Sequence, residues 1–312
     1  MLRPYSLLLA SLAAASFLGS LRAQSDTVSI PAWIEEGQCG PVPKFEATFN
    51  GKPSPVISQK GPGSDQIILL ILDFTGDISF VEAAKQALAA EITKLPSNTW
   101  VGLLSDQDGL HVLADPGPKR KELLKALQEL AGTGKPGLLG TVGSALSLAD
   151  STARKSPIRI SVLYITDSNI YNYREDYTNP VINGSDPHDL SRVFPDALIR
   201  DKISRLEEEV SSLETPLFVV HIDYRGDVLN QAYQNGLLAL ADATGGRGQM
   251  PRSVAEIPDA IAAAFSRISG EWRLSLEIPA KSHSNAQIRL SVPCDGEGAR
   301  LSWRTRLRPK EG

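Results

Sequence analysis

Residues 67–72 read Ile-Ile-Leu-Leu-Ile-Leu and stop on Asp73, with Thr75, Gly76 and Asp77 directly behind. An unbroken apolar run of this length does not alternate as a half-exposed strand would. It suits a strand covered on both faces, as inside a parallel sheet. Oxygen-bearing side chains crowded at the carboxyl end of such a strand suit a ligand site, because open α/β sheets bind there.

The rest of the chain supports the same class. Helical and extended stretches alternate from residue 67 to about 269. Residues 80–95 carry apolar positions at Ala84, Leu88 and Ile92, and 100–104 and 110–113 read as two strands joined by a turn at 106–109. Residues 121–130 and 142–152 read as helices, 158–165 as a buried strand ending on Thr166-Asp167, and 196–213 as a charged helix. A strand at 216–222 and helices at 229–243 and 254–268 complete the series. This order predicts a doubly wound, mostly parallel sheet with helices on both faces.

The ends differ. Phe45 to Phe49 alternate, Asn50-Gly51 is a hairpin turn signal, and Lys52-Pro53 leads into a second extended run. Residues 272–278, 287–292 and 299–307 alternate without helical stretches and read as an antiparallel meander. The expected division is a leader at 1–23, a β segment at 24–62, the α/β domain at 65–270 and the meander at 271–312, with the two β pieces forming one small unit.

Residues 1–23 combine Arg3, an apolar stretch and Leu-Arg-Ala at a tolerable cleavage point. They read as a secretory signal peptide, which predicts a secreted or periplasmic protein without membrane insertion once cleaved. Of 32 basic residues, losing Arg3 and Arg22 leaves 30 against 36 acidic, an excess that argues against nucleic acid as a partner. In an oxidising compartment the only two cysteines, Cys39 and Cys294, are expected to bond. The loop closed would be nearly the whole chain, worth at most roughly 5 kcal/mol.

Three patches concentrate polar chemistry: Asp73-Phe-Thr75-Gly-Asp77, Gly140-Thr141 and Thr166-Asp167. In a doubly wound sheet all three meet at the carboxyl edge, and hydroxyls with carboxylates are what a hard cation such as Mg²⁺ takes. With these patches, Gly140-Thr-Val-Gly-Ser-Ala-Leu146, Tyr164-Ile-Thr-Asp167 and Leu238-Ala-Leu-Ala-Asp-Ala-Thr-Gly-Gly246, the chain resembles a von Willebrand factor A (VWFA) domain over about residues 65–270. It is most similar to a secreted bacterial branch described as acidobacterial VWFA-related, whose strand-turn lead-in resembles Phe45-Glu-Ala-Thr-Phe-Asn-Gly-Lys-Pro53.

The resemblance implies a metal-ion-dependent adhesion site built from Asp73, Thr75, Asp77, Thr141 and Asp167. The implied ion is Mg²⁺, with Mn²⁺ or Ca²⁺ as alternatives, and the implied partner is a protein presenting an acidic residue. Three features depart from the pattern: Asp77 replaces a serine, Ser168 a common glycine, and Thr141 sits one residue off the register of the Gly-Ser-Ala-Leu behind it. A carboxylate at 77 adds charge beside the ion or fills its open position, which weakens the pull on an acidic partner. The competing reading is a degenerate site without metal, in which Thr75 and Asp77 cap the following helix.

The long segment 168–195 leaves the same edge and carries Tyr171, Tyr173, Arg174 and Tyr177, residue types favoured at interfaces. No Gly-x-Ser-x-Gly elbow or phosphate loop is present, and no two of the four histidines have ligand spacing. His221, inside an apolar strand, reads as a satisfied core residue. The expectation is therefore a non-enzymatic protein-binding module. A metal-free scaffold binding through 168–195 or the β unit is the alternative, and a metal-assisted hydrolase a distant third.

Overall fold

A computed structural model describes residues 27–37, 39–132, 134, 137–156, 158–170, 196–278, 286–294 and 299–308. The leader at 1–23 and the tyrosine-bearing residues 171–195 lie outside that set.

The α/β part is built on β5 (Gln66–Asp73), whose eight residues are nearly all buried. The pleat sends Ile68, Leu70 and Leu72 into one apolar core and Leu69 and Ile71 into another, which is why the run shows no alternation. Beside β5 lie β6 (Thr99–Ser105) and β8 (Arg159–Thr166), both parallel to it. With β7 (His111–Gly117), β9 (Leu217–His221) and β10 (Arg247–Gln249) they form a six-stranded sheet in the order β10-β9-β8-β5-β6-β7. Only the edge strand β7 is antiparallel, because the short turn after β6 leaves no room for a crossover.

Helices α1 (Ile78–Lys94) and α2 (Arg120–Glu129) cover one face. The other face is covered by α3 (Leu138–Lys155), α4 (Ala197–Val210) and α5 (Val228–Thr244). The last helix, α6 (Ile257–Ser269), packs beside α1. The doubly wound, mostly parallel sheet expected from the sequence is thus the observed fold. Among the described residues no helix is long and apolar enough to cross a membrane.

The two ends of the chain build one β unit of two four-stranded sheets around a shared core. The first sheet contains β1 (Thr27–Glu36), β4 (Val56–Lys60), β11 (Trp272–Glu277) and β13 (Arg300–Trp303). The second contains β2 (Glu46–Phe49), β3 (Lys52–Ser54), β12 (Ala286–Ser291) and β14 (Arg306–Leu307). The hairpin turn is as read: Asn50 and Gly51 both have positive φ, 51° and 78°, the two-residue turn that matches strand twist.

The tail is not a meander. β11 lies between β1 and β4, β12 pairs with β2, and β13 pairs with β1. Each finds its apolar partner in the other end of the chain, and β1, unexpected from the sequence, is the strand that makes this possible. Cys39 and Cys294, 255 residues apart, are bonded.

The β unit sits at the amino edge of the main sheet. Arg159, which opens β8, is 1% exposed and donates to the carbonyls of Glu271, Pro62 and Ser64 and to Gln66 Oε1. Arg304 donates in the same way to the carbonyls of Leu213 and Ser211 behind α4. Trp33 Nε1 donates to Arg267 O at 2.7 Å, and the Arg267 guanidinium lies over the indole. These contacts leave the opposite, carboxyl edge uncovered by the β unit.

Candidate functional site at the carboxyl edge

Register puts an aspartate at the end of three neighbouring strands. Leu72 pairs with Ser105, so Asp106 lies level with Asp73, and the Asp106 amide donates to Leu72 O. Asp73 pairs with Thr166, and the Asp167 amide donates to Asp73 O. Asp73, Asp106 and Asp167 are 0%, 0% and 2% exposed.

Asp73 is held asymmetrically. Tyr164 Oη, Thr166 Oγ1 and Ser168 Oγ all donate to its Oδ2, at 2.7, 3.0 and 2.6 Å. Its Oδ1 is buried and makes no hydrogen bond of ordinary geometry, although the Gly137 amide lies near the carboxyl. Thr75 Oγ1 and both oxygens of Asp106 are likewise buried without such a bond. Unsatisfied buried oxygens are costly and call for an explanation.

Asp167 does a different job. Its Oδ1 accepts from the Thr75 amide at 2.7 Å and its Oδ2 from the Gly76 amide at 2.8 Å. It therefore fixes the loop after β5. A side chain at 76 would stand 2.9 Å from Asp167 Oδ2, so glycine there permits the bond. Gln107 Nε2 donates to Phe74 O and ties the Asp106 loop to the same turn.

Burial dominates the electrostatics. It raises the Asp73 carboxyl, against the hydroxyl bonds of Ser168, Tyr164 and Thr166 and the Gly137 amide. It pushes Asp106 up to about 7, with the Thr141 hydroxyl opposing and the Asp73 charge adding. Asp167 is pushed up to about 6 by burial, opposed by the Thr75 and Gly76 amides and reinforced by Asp73. Among the described residues no lysine or arginine contributes to any of the three, and the described part of the cluster is acidic and buried.

Of the residues expected from the sequence, Asp73, Thr75 and Asp167 come together, and Thr141, in the first turns of α3, lies beside Asp106. Asp77 does not join them. It is fully exposed, and its Oδ1 accepts from Ser79 N at 2.8 Å and Ser79 Oγ at 2.7 Å, which makes it the N-cap of α1. An extended backbone two residues before a serine favours that local bond over one into the cluster. Tyr171, Tyr173, Arg174 and Tyr177 lie outside the described residues. His221 is buried, and its Nε2 faces Ser168 O at 3.0 Å; a carbonyl only accepts, so Nε2 carries the proton.

Asp106 escapes sequence reading. It stands in a turn after an apolar run, where aspartate is ordinary. Only the pairing of β6 with β5 brings it to Asp73.

Among the described residues no three His, Cys, Asp or Glu side chains converge as a metal group. What remains is one oxygen of Asp73, the Asp106 carboxyl and the Thr75 hydroxyl, a donor set that fits a hard cation keeping several waters. Away from this edge, a groove of about 760 Å³ on the β unit is lined by Phe45, Ala47, Pro53, Val56, Arg289 and Leu290, among others.

The six-stranded sheet with one antiparallel edge strand and helices on both faces is a doubly wound α/β fold, with an oxygen-rich cluster at its carboxyl edge. No family model matches the sequence, and no curated protein does. Among solved structures, the fold is similar to the von Willebrand factor type A protein of Catenulispora acidiphila, at 12% identity and TM-score 0.46, over 91% of this chain and 73% of that one. It is also similar to the PilB minor pilin of Streptococcus sanguinis, at 10% identity and TM-score 0.46, over 69% of this chain and 63% of that one. A third is an aerotolerance-related membrane protein of Bacteroides fragilis, at 13% identity and TM-score 0.39, over 65% and 100%. The likeness is one of fold outline and extends to no function.

Proposed function

We propose that this chain is a secreted or periplasmic, non-enzymatic protein-binding module that recruits its partner through a divalent cation at the carboxyl edge. The observation that carries the reading is the Asp73 carboxyl. Three hydroxyls anchor one oxygen, and the other is buried without a hydrogen bond of ordinary geometry, as is the hydroxyl of Thr75 two residues on. A carboxyl used only to cap a turn would satisfy both oxygens locally. An oriented, half-satisfied one is how protein holds a ligand for an ion. Asp73 and Thr75 would hold the ion, Asp167 would fix the loop that carries Thr75, and Thr141 closes the far side. When bound, the ion supplies a Lewis-acidic position for a partner's oxygen. The signal-like start and the Cys39–Cys294 bond support export. The described hydroxyls at the site are spent on orienting buried carboxylates, as Ser168 and Thr166 are on Asp73, and this favours binding over turnover.

Calorimetric titration of Mg²⁺, Mn²⁺ and Ca²⁺ into chelator-stripped protein tests this. Saturable binding at a stoichiometry of one, lost in Asp73→Asn, is the expected result. Absence of binding up to millimolar ion would end the metal reading and turn attention to the β-unit groove and residues 171–195.

A further inference from the structure

We infer that Asp106 is a carboxylate ligand of this cation, taking the part that the sequence pattern assigns to Asp77. The inference rests on the metal reading above. Four observations carry it. Asp106 is fully buried, and neither of its oxygens makes a hydrogen bond of ordinary geometry, although the Thr141 hydroxyl lies close enough to favour the charged form. Strand register sets it level with Asp73, whose Oδ1 also lacks such a bond. Asp77 is exposed and engaged with Ser79. And glycine at 137 leaves space for the Asp106 carboxyl where any side chain would meet both its oxygens at 2.1 Å.

The plain alternative is that Asp106 serves only as an anion at the N-terminus of α3, where the helix dipole favours negative charge. That role would leave its oxygens bonded to the first amides of the helix, and no such bond is present. A cation shared by Asp73 and Asp106 instead satisfies the free oxygens of both.

The consequence concerns the partner. Two aspartates balance the charge of a divalent ion, so the bound ion has little net attraction for a third carboxylate. The oxygen it takes from a partner is then a neutral one, from an amide or a hydroxyl. The acidic partner expected from the sequence is the less favoured ligand.

The test is Mn²⁺ titration at pH 8, followed by the electron paramagnetic resonance signal of free Mn²⁺, on wild type, Asp106→Asn, Asp106→Ser and Asp77→Asn. Losing the Asp106 carboxylate in either variant should weaken binding by at least about tenfold, the low end for disturbing even the surroundings of a metal site. Asp77→Asn should stay within about threefold. Circular dichroism of each variant in chelator checks the fold, and the serine variant stands in should the asparagine one not fold. Equal binding by wild type and the Asp106 variants would overturn this inference and leave the metal site standing. A larger loss in Asp77→Asn would return the role to Asp77. A wild type that binds nothing would overturn the metal reading and this inference together.

Discussion

The Asp106 carboxyl lies against the α-carbon of Gly137 so closely that a Cβ at 137 would stand 2.1 Å from both of its oxygens. Gly137 has φ −76°, an ordinary backbone angle. Glycine is required here for space alone. Gly137→Ala should therefore force the carboxyl aside, at a cost of roughly 1–3 kcal/mol. In an Asp106→Ala background the same change should cost almost nothing. A double-mutant cycle by urea denaturation measures the coupling; additive effects would show that the two positions do not share this space.

Asp167 organises the loop after β5 by accepting two backbone amides. Asn in its place keeps one acceptor and turns an amide group toward the second N–H. Asp167→Asn should cost roughly 2 kcal/mol at pH 8, the scale for a hydrogen bond to a buried charged group. Because Thr75 is then released, ion binding should weaken too. Unchanged urea and titration midpoints would remove Asp167 from this role.

His221 gives the protein an acid-sensitive element. Burial lowers its pKa to about 4, with the Ser168 carbonyl and Asp223 opposing and Arg225 adding to the shift. The unfolded chain binds a proton near 6.5 and the folded one near 4. The neutral ring therefore contributes stability above pH 6.5 that is lost as pH falls toward 4, roughly 3 kcal/mol across the window. Glutamine retains an N–H for Ser168 O but does not titrate. The stability advantage of wild type over His221→Gln should shrink by more than about 1 kcal/mol between pH 7 and pH 4.5. An advantage constant with pH would contradict the assignment.

The disulfide joins the ends of the β unit, at the edge of the main sheet remote from the acidic cluster. Replacing Cys39 and Cys294 by alanine should lower stability by roughly 2–5 kcal/mol. Ion affinity in the folded fraction should not change. A calorimetric titration run beside thermal denaturation separates the two effects. A loss of affinity in fully folded protein would mean that the β unit shapes the site.

Much of the α/β part was legible because buried parallel strands announce themselves. Residues 67–72, 160–165 and 217–222 are runs with apolar side chains on both faces, and helices between them keep a clear apolar stripe. β1 was not legible. Pro31 interrupts it, although the strand lies between two others, and its Pro31 carbonyl is used by Arg304 N. The tail strands were seen but their partners were not, because pairing across the length of the chain leaves no local trace. At the site, Asp73, Thr75 and Asp167 were readable from their place at strand ends. Asp77 was readable in two ways, as a metal ligand and as a cap of the following helix, and it is the cap. Asp106 needed the register of β6 on β5.

Drawn by its two ends, the molecule would carry load along an unusual line. The path enters through β1, crosses from Cys39 to Cys294 and leaves through β13 and β14. Everything between the two cysteines, the six-stranded sheet and its acidic edge included, hangs off that line as an untensioned loop. Pulling would peel β1 and β13 and then stop at a covalent bond. The acidic edge would keep its shape under tension that had already unravelled the strands outside the bridge.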